Sequence, residues 1–135
     1  MADTQHRTTG RQLVGTVGVL LLIAAGAFAG ANLRYALGLQ LPGLVGTLAA
    51  NVFGSVALGV LLYEATFAGR LSRETRLLLG TGLLSSFTTY STFVVDAVTA
   101  APVTALWYVL ATYGLGLVGV LVGRAIARRL AGGQP

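Results

Sequence analysis

The sequence has 135 residues, no cysteine, a hydrophobic share of 55%, a charged share of only 10% and a formal net charge of +5. A soluble domain usually carries charge at about a quarter of its positions, so an ordinary soluble fold is excluded, and the missing cysteines exclude disulfides and thiol chemistry. The basic excess does not point to nucleic acid, because the arginines lie at the edges of apolar runs rather than in one patch, as membrane-flanking arginines do.

Four neutral runs separate the charges: Gln12 to Leu33, Tyr35 to Tyr63, Leu77 to Val95 and Ala97 to Gly123, of 22, 29, 19 and 27 residues. A helix needs roughly 20 mostly apolar residues to cross the hydrocarbon core. Each run suffices, so the chain reads as an all-α integral membrane protein with four transmembrane helices in a single domain, 1–135. Residues 1–11 form a polar tail. Arg7 and Arg11, followed by an apolar stretch ending in Ala27-Phe28-Ala29, imitate a cleavable signal. The neutral run is longer than a usual signal core and three further spans follow, so it is expected to be retained as the first helix, about 12–33, with Arg34-Tyr35 at its far interface. Pro42-Gly43 punctuates a short link to the second span, about 44–63. The segment from Glu64 to Arg76 holds three arginines and two glutamates and reads as a polar loop. The third span covers about 77–98, with Asp96 near its end. Pro102 marks a tight connection to the fourth span, about 103–123, and a basic tail runs from Arg124 to Arg129.

Nineteen glycines fall mainly inside the spans. Gly26, Gly30 and Ala31 form a small face on the first helix, and Gly46, Ala50 and Gly54 recur every four residues on the second. Small residues at that spacing let helix backbones approach closely in lipid, within a subunit or between subunits.

The polar residues inside the spans carry the chemical information. Thr47, Asn51 and Ser55 share one face of the second helix. Thr104, Tyr108 and Thr112 repeat that spacing on the fourth, and the third holds a dense cluster from Ser85 to Phe93. A single Ser or Thr in a lipid span often bonds only to its own backbone four residues earlier. The Asn51 amide cannot be satisfied that way and needs a partner or water. Three aligned stripes favour a polar path across the membrane. No carboxylate lies in the middle of a span, since Glu64 and Asp96 fall at helix ends, whereas proton-coupled and multivalent-cation paths usually place one at depth. Hydroxyls, an amide, aromatic ring edges and the positive Arg34 suit a small anion.

Three segments then resemble the Fluc/CrcB family of fluoride channels. Residues 26–35, GAFAGANLRY, are similar to the family's GGxxGAxxRY, with Ala27 in place of its second glycine. Residues 46–55, GTLAANVFGS, match GTLxxNxxGS, and residues 87–93, FTTYSTF, are close to FTTFSTF. The motifs stand in the family's order in a chain of matching length and span count. The resemblance implies a passive, fluoride-selective channel that exports fluoride and lowers its cytoplasmic concentration. It implies no enzyme, in keeping with a chain whose one histidine is His6 in the polar tail. Asn51 would be a pore-facing donor, with Thr47 and Ser55 on its face; Arg34 would lie at an aqueous vestibule. Phe93 and Tyr90 would present ring edges to fluoride, and Tyr108 and Thr112 would continue the track on the fourth helix. Ser85 and Thr88 would offer backbone carbonyls to a structural Na+ ion, not transported, at a break near the middle of the third helix. The family assembles as an antiparallel dimer of inverted subunits with two pores. This chain departs at Tyr90, where Phe is usual, and at Ser85-Ser86, where Gly-Gly is usual.

Two other readings are weaker. A small multidrug exporter needs a carboxylate in its first helix, and the run from Gln12 to Leu33 has none. A non-transporting assembly protein explains the glycine faces but not Asn51 or the hydroxyl stripes. The localisation expected is the cell membrane. Four spans place both termini and the 64–76 loop on one side, which then holds eight of the nine arginines and leaves only Arg34 opposite. Cytoplasmic loops collect Lys and Arg, so both termini are expected inside. Subunits that insert both ways need little bias, so the antiparallel pair is expected to be a heterodimer with a homologue of opposite bias, against the competing dual-topology homodimer.

Overall fold

The computed structural model describes the backbone of residues 2–132 and the side chains of residues 15–132. Among the described residues it contains four helices long and apolar enough to cross a membrane and no strand. We number them α1 (Ala2–Gln40), α2 (Leu44–Tyr63), α3 (Arg73–Thr99, interrupted) and α4 (Pro102–Leu130). The helix expected from Gln12 starts at Ala2, and it runs past Arg34-Tyr35 to Gln40, so Arg34 stands within a helix rather than at its end. The side chains of the polar tail and the last residues, 133–135, lie outside the described part.

The expected loop from Glu64 to Arg76 is shorter than the sequence suggests, because both of its ends are helical. Beyond Tyr63, α2 widens into a π-type turn over Glu64–Ala68, which Gly69 ends by adopting a left-handed φ of 60°, a conformation glycine takes without steric cost. Ser72 caps the start of α3, its hydroxyl accepting from the Thr75 N–H at 3.2 Å. Between them, the Glu64 carboxylate accepts the Leu71 N–H and pairs with Arg76 at 3.5 Å, while the Arg76 guanidinium donates to the Leu71 carbonyl at 2.9 Å. The turn closes on itself at the membrane edge, where the Arg124 guanidinium lies 5.8 Å from the centre of the Phe67 ring.

Packing is inside out relative to a soluble protein. Among the described residues, the buried side chains are small or carry a polar atom: Ala50, Thr47, Thr89, Tyr63, Tyr108 and Ala127, with Phe93 the exception. Large apolar groups such as Leu20, Phe28, Trp107 and Leu117 face outward, as they do when lipid is the solvent. Helix α2 packs chiefly on α4, and α1 on the first arm of α3. The α2–α4 seam depends on Gly59 and Gly123: a Cβ on either would run into the carbonyl oxygen of the facing helix, at Val120 and Val56 respectively.

Helix α3 is not continuous. After one α-helical turn, Arg73–Arg76, it is π-helical over Leu77–Leu84, returns to α-helix for Ser85–Phe87, breaks, and resumes as Ser91–Thr99. The break falls at residues 88–90, where Thr88 turns extended (φ −77°, ψ 160°), not at Ser85-Ser86. Ser85 remains helical because its hydroxyl turns back to the Gly80 and Thr81 carbonyls, which stabilises the widened turn instead of opening it.

Candidate functional site

A break in a membrane helix frees backbone groups that lipid cannot satisfy. At this break the partner is a side chain from α2. The Asn51 amide donates to the Thr89 carbonyl at 3.0 Å, and its oxygen accepts the Thr89 N–H at 2.8 Å. Both ends of one amide therefore clamp both backbone groups of one residue. Thr89 also caps the second arm: its Oγ1 accepts the Thr92 N–H at 3.2 Å. Thr88 closes the first arm, its hydroxyl donating to the Leu84 carbonyl at 2.9 Å, while its methyl rests on Gly54, where a Cβ would collide with it.

Two cavities lie on either side of this clamp along the helix axes. The larger, about 620 Å³, holds Asn51, Ser55, Ser85, Thr88, Tyr90, Phe93 and Thr112. Seven of the residues expected at the site therefore come together from α2, both arms of α3, and α4. The smaller, about 480 Å³, holds Arg34 and Thr47 beside Thr92 and Asp96, towards the α1–α2 connection. Thr89 lines both. Tyr108 is buried and lines neither; its ring lies against Phe93, with centroids 5.4 Å apart.

Sequence reasoning did not find three of the residues the structure brings here. Asp96 looks interfacial in the sequence, yet its carboxylate turns inward and accepts the Thr47 hydroxyl at 2.7 Å and, more loosely, the Tyr108 hydroxyl at 3.4 Å. A fixed carboxylate thus shares the smaller cavity with the Arg34 guanidinium, and it ties α2, α3 and α4 together. Thr89 had a signal, the paired threonines of the 87–93 segment, but its role lies in its backbone. Tyr113 falls off the Thr104–Tyr108–Thr112 spacing, yet it lines the larger cavity and meets Phe93 edge-on at 5.9 Å. Phe93 is consequently surrounded by tyrosine rings, Tyr90 being the third at 5.8 Å.

The hydroxyl stripes are less open than their spacing suggests. Ser55 donates to the Asn51 carbonyl and Thr112 to the Tyr108 carbonyl, both at 2.8 Å. These are the same-helix bonds that any lone Ser or Thr in a lipid span tends to make. The Asn51 amide, which lines the larger cavity, gives one N–H to Thr89 and has a second.

The family model described as "CrcB-like protein, Camphor Resistance (CrcB)" matches residues 21–124. A Haloarcula marismortui protein named "Fluoride-specific ion channel FluC 1" is 54% identical over 133 residues, covering 98% of each chain. "Fluoride-specific ion channel FluC 2" of Halobacterium salinarum is 53% identical over 107 residues, covering 78% of this chain and 84% of its own. "Fluoride-specific ion channel FluC" of Roseiflexus sp. is 42% identical over 123 residues, covering 82% and 98%.

The clamp makes a prediction about stability. Asn51→Ala orphans a donor and an acceptor inside the bundle, at about 1–2 kcal/mol each in lipid. The purified variant should melt several degrees below the native protein in detergent. Asn32→Ala, which removes only an exposed bond to the Phe28 carbonyl, should melt with the native protein. Equal melting of Asn51→Ala and native protein contradicts the clamp.

Proposed function

Because the chain belongs to the CrcB family, we propose that it is a fluoride-selective passive ion channel of the cell membrane that lets fluoride leave the cytoplasm. The observation that carries this reading beside the relatives' names is the Asn51–Thr89 clamp. It supports a helix break where donor-bearing side chains from three helices converge on one cavity. Fluoride is small and strongly hydrated, so a path for it must replace water with hydrogen-bond donors, and charge-assisted bonds are the strong ones. In this reading Asn51 supplies its second N–H. The ring edges of Phe93 and Tyr90 present partial positive charge, and Ser55 and Thr112 serve the ion when their hydroxyls rotate off the backbone. Arg34 raises the anion concentration in the smaller cavity and offsets Asp96, whose charge is further dispersed by Thr47 and Tyr108.

The path needs a cover. Tyr90 is 70% exposed on the protomer surface, and an ion path left open to hydrocarbon is untenable. A second subunit closing that face, inverted as the family resemblance implies, gives the antiparallel dimer. A structural Na+ fits the same break. Thr89 gives its N–H to Asn51 and not to the Ser85 carbonyl four residues earlier. The helix-end carbonyls of Ser85 and Thr88 are hard oxygen donors of the kind such an ion takes. The ion, where bound, would neutralise those carbonyl dipoles near the subunit interface.

Liposomes containing the protein should release fluoride far faster than chloride without a proton gradient. Equal chloride release contradicts selectivity, and strict dependence on a proton gradient contradicts a channel.

The charge bias makes the pair a heterodimer in this proposal, with both termini of this chain in the cytoplasm. Relatives named FluC 1 and FluC 2 occur, though in different organisms here. A C-terminal topology reporter should give signal from the cytoplasm alone, with fluoride flux appearing on coexpression of a second homologue of opposite bias. Equal signal from both sides, or full flux from this chain alone, favours the dual-topology homodimer and contradicts the heterodimer.

A further inference from the structure

We infer that Tyr113, which belongs to none of the polar stripes, is a fluoride-coordinating and selectivity-determining residue that donates its phenol O–H to the anion beside Phe93. The inference rests on the reading of the chain as a fluoride channel and assigns a further residue to that path.

The supply of donors in the larger cavity singles Tyr113 out. Among the hydroxyls that line it, Ser55 and Thr112 donate to carbonyls of their own helices at 2.8 Å, Thr88 does so at 2.9 Å and Ser85 at 3.1 Å. In that state each presents lone pairs, which repel an anion. Tyr90 and Tyr113 are different: neither phenol makes a hydrogen bond among the described residues. A phenol is also a stronger donor than an aliphatic alcohol, because it is the more acidic group.

Position separates Tyr113 from Tyr90. Tyr113 comes from α4 rather than from the break in α3; it lines the larger cavity and meets the Phe93 ring at an interplanar angle of 84°. The α4 spacing of Tyr108 and Thr112 lapses one turn later at Gly116, which lines the cavity but has no side chain to offer. Tyr113 stands beside that gap, 61% exposed in the isolated protomer, with its hydroxyl free to reach an ion that has passed Phe93. On α4 the neighbouring Thr112 hydroxyl is turned to its own backbone, so Tyr113 brings the phenol donor that α4 holds at this point.

The test uses the full-length protein in liposomes, with any second subunit it requires, and measures fluoride and chloride efflux. Tyr113→Phe removes the O–H and keeps the ring against Phe93. It should cut fluoride efflux by about tenfold, the loss of one hydrogen bond to a charged group. Chloride efflux should stay unchanged, so the selectivity ratio falls with it. Tyr113→Leu should lose at least as much, and Tyr113→Trp, which brings back a ring with an N–H donor, should recover part of the flux. An unchanged gel-filtration profile separates these effects from failed assembly. Native-like fluoride flux in Tyr113→Phe overturns the inference and leaves Tyr113 as packing, with the channel reading intact. If Tyr113→Phe fails to assemble, Tyr113→Trp flux no higher than that of Tyr113→Leu overturns it instead. Native protein that passes no fluoride overturns the channel reading as well.

Discussion

A helix that breaks inside a membrane must hand its freed N–H and C=O groups to something other than water, and here the recipient is one amide. Asn51 takes both backbone groups of Thr89. No hydroxyl can do this alone, because the exchange needs a donor and an acceptor about one peptide width apart, which is the geometry of another amide. The clamp fixes the angle between the two arms of α3. That angle decides where Phe93 points, which way Asp96 turns, and where the two cavities meet. Gly54 supports it from one turn along α2 by leaving room for the Thr88 methyl.

The rest of the bundle frees space for this arrangement. With lipid as solvent there is no gain from hiding leucines, so the helices associate through close backbone contact at glycine and through interhelical hydrogen bonds. The seam at Gly59 and Gly123 brings α2 and α4 together, and the Gly26–Gly30 face of α1 receives the widened part of α3, where Cβ atoms would meet the Leu78 and Leu83 carbonyls. Polar side chains then occupy the interior, and their hydrogen bonds connect the same helices. Thr47 and Tyr108 converge on Asp96 from two of them. In the proposed anion path, a carboxylate in the smaller cavity must be held and offset. Two hydroxyl donors and a nearby guanidinium do this.

Much of this was legible in the sequence. The spans follow from gaps between charges, because a charge inside hydrocarbon is costly and its absence over some twenty residues is informative. Asn51 stood out because an amide cannot satisfy itself on its own helix, and the structure gives it a partner on another. What the sequence hid depends on the break. Periodicity assumes a straight helix, so Asp96 looked like a helix-end residue, while Tyr113 fell off the Thr104–Tyr108–Thr112 spacing and was not singled out. A break near the middle of the third helix was expected, with Ser85-Ser86 standing where the family usually has Gly-Gly. A serine that bonds its own preceding turn strengthens that turn, and the chain gives way beyond it, at Thr88, where Asn51 waits. The hydroxyl stripes were visible, but the direction of their protons was not.

The whole arrangement depends on the Asn51 side chain holding the Thr89 peptide. Amide hydrogen exchange resolved at Thr89, in protein reconstituted in nanodiscs, tests it most directly, since the Thr89 N–H has no helical partner and its protection depends on the Asn51 oxygen. The account predicts a slowly exchanging Thr89 amide in the native protein that exchanges at least about tenfold faster in Asn51→Ala, as loss of a bond worth about 1.4 kcal/mol requires, while amides in α1 keep their native rates. A Thr89 amide that exchanges freely in the native protein, or stays equally protected in Asn51→Ala, contradicts it.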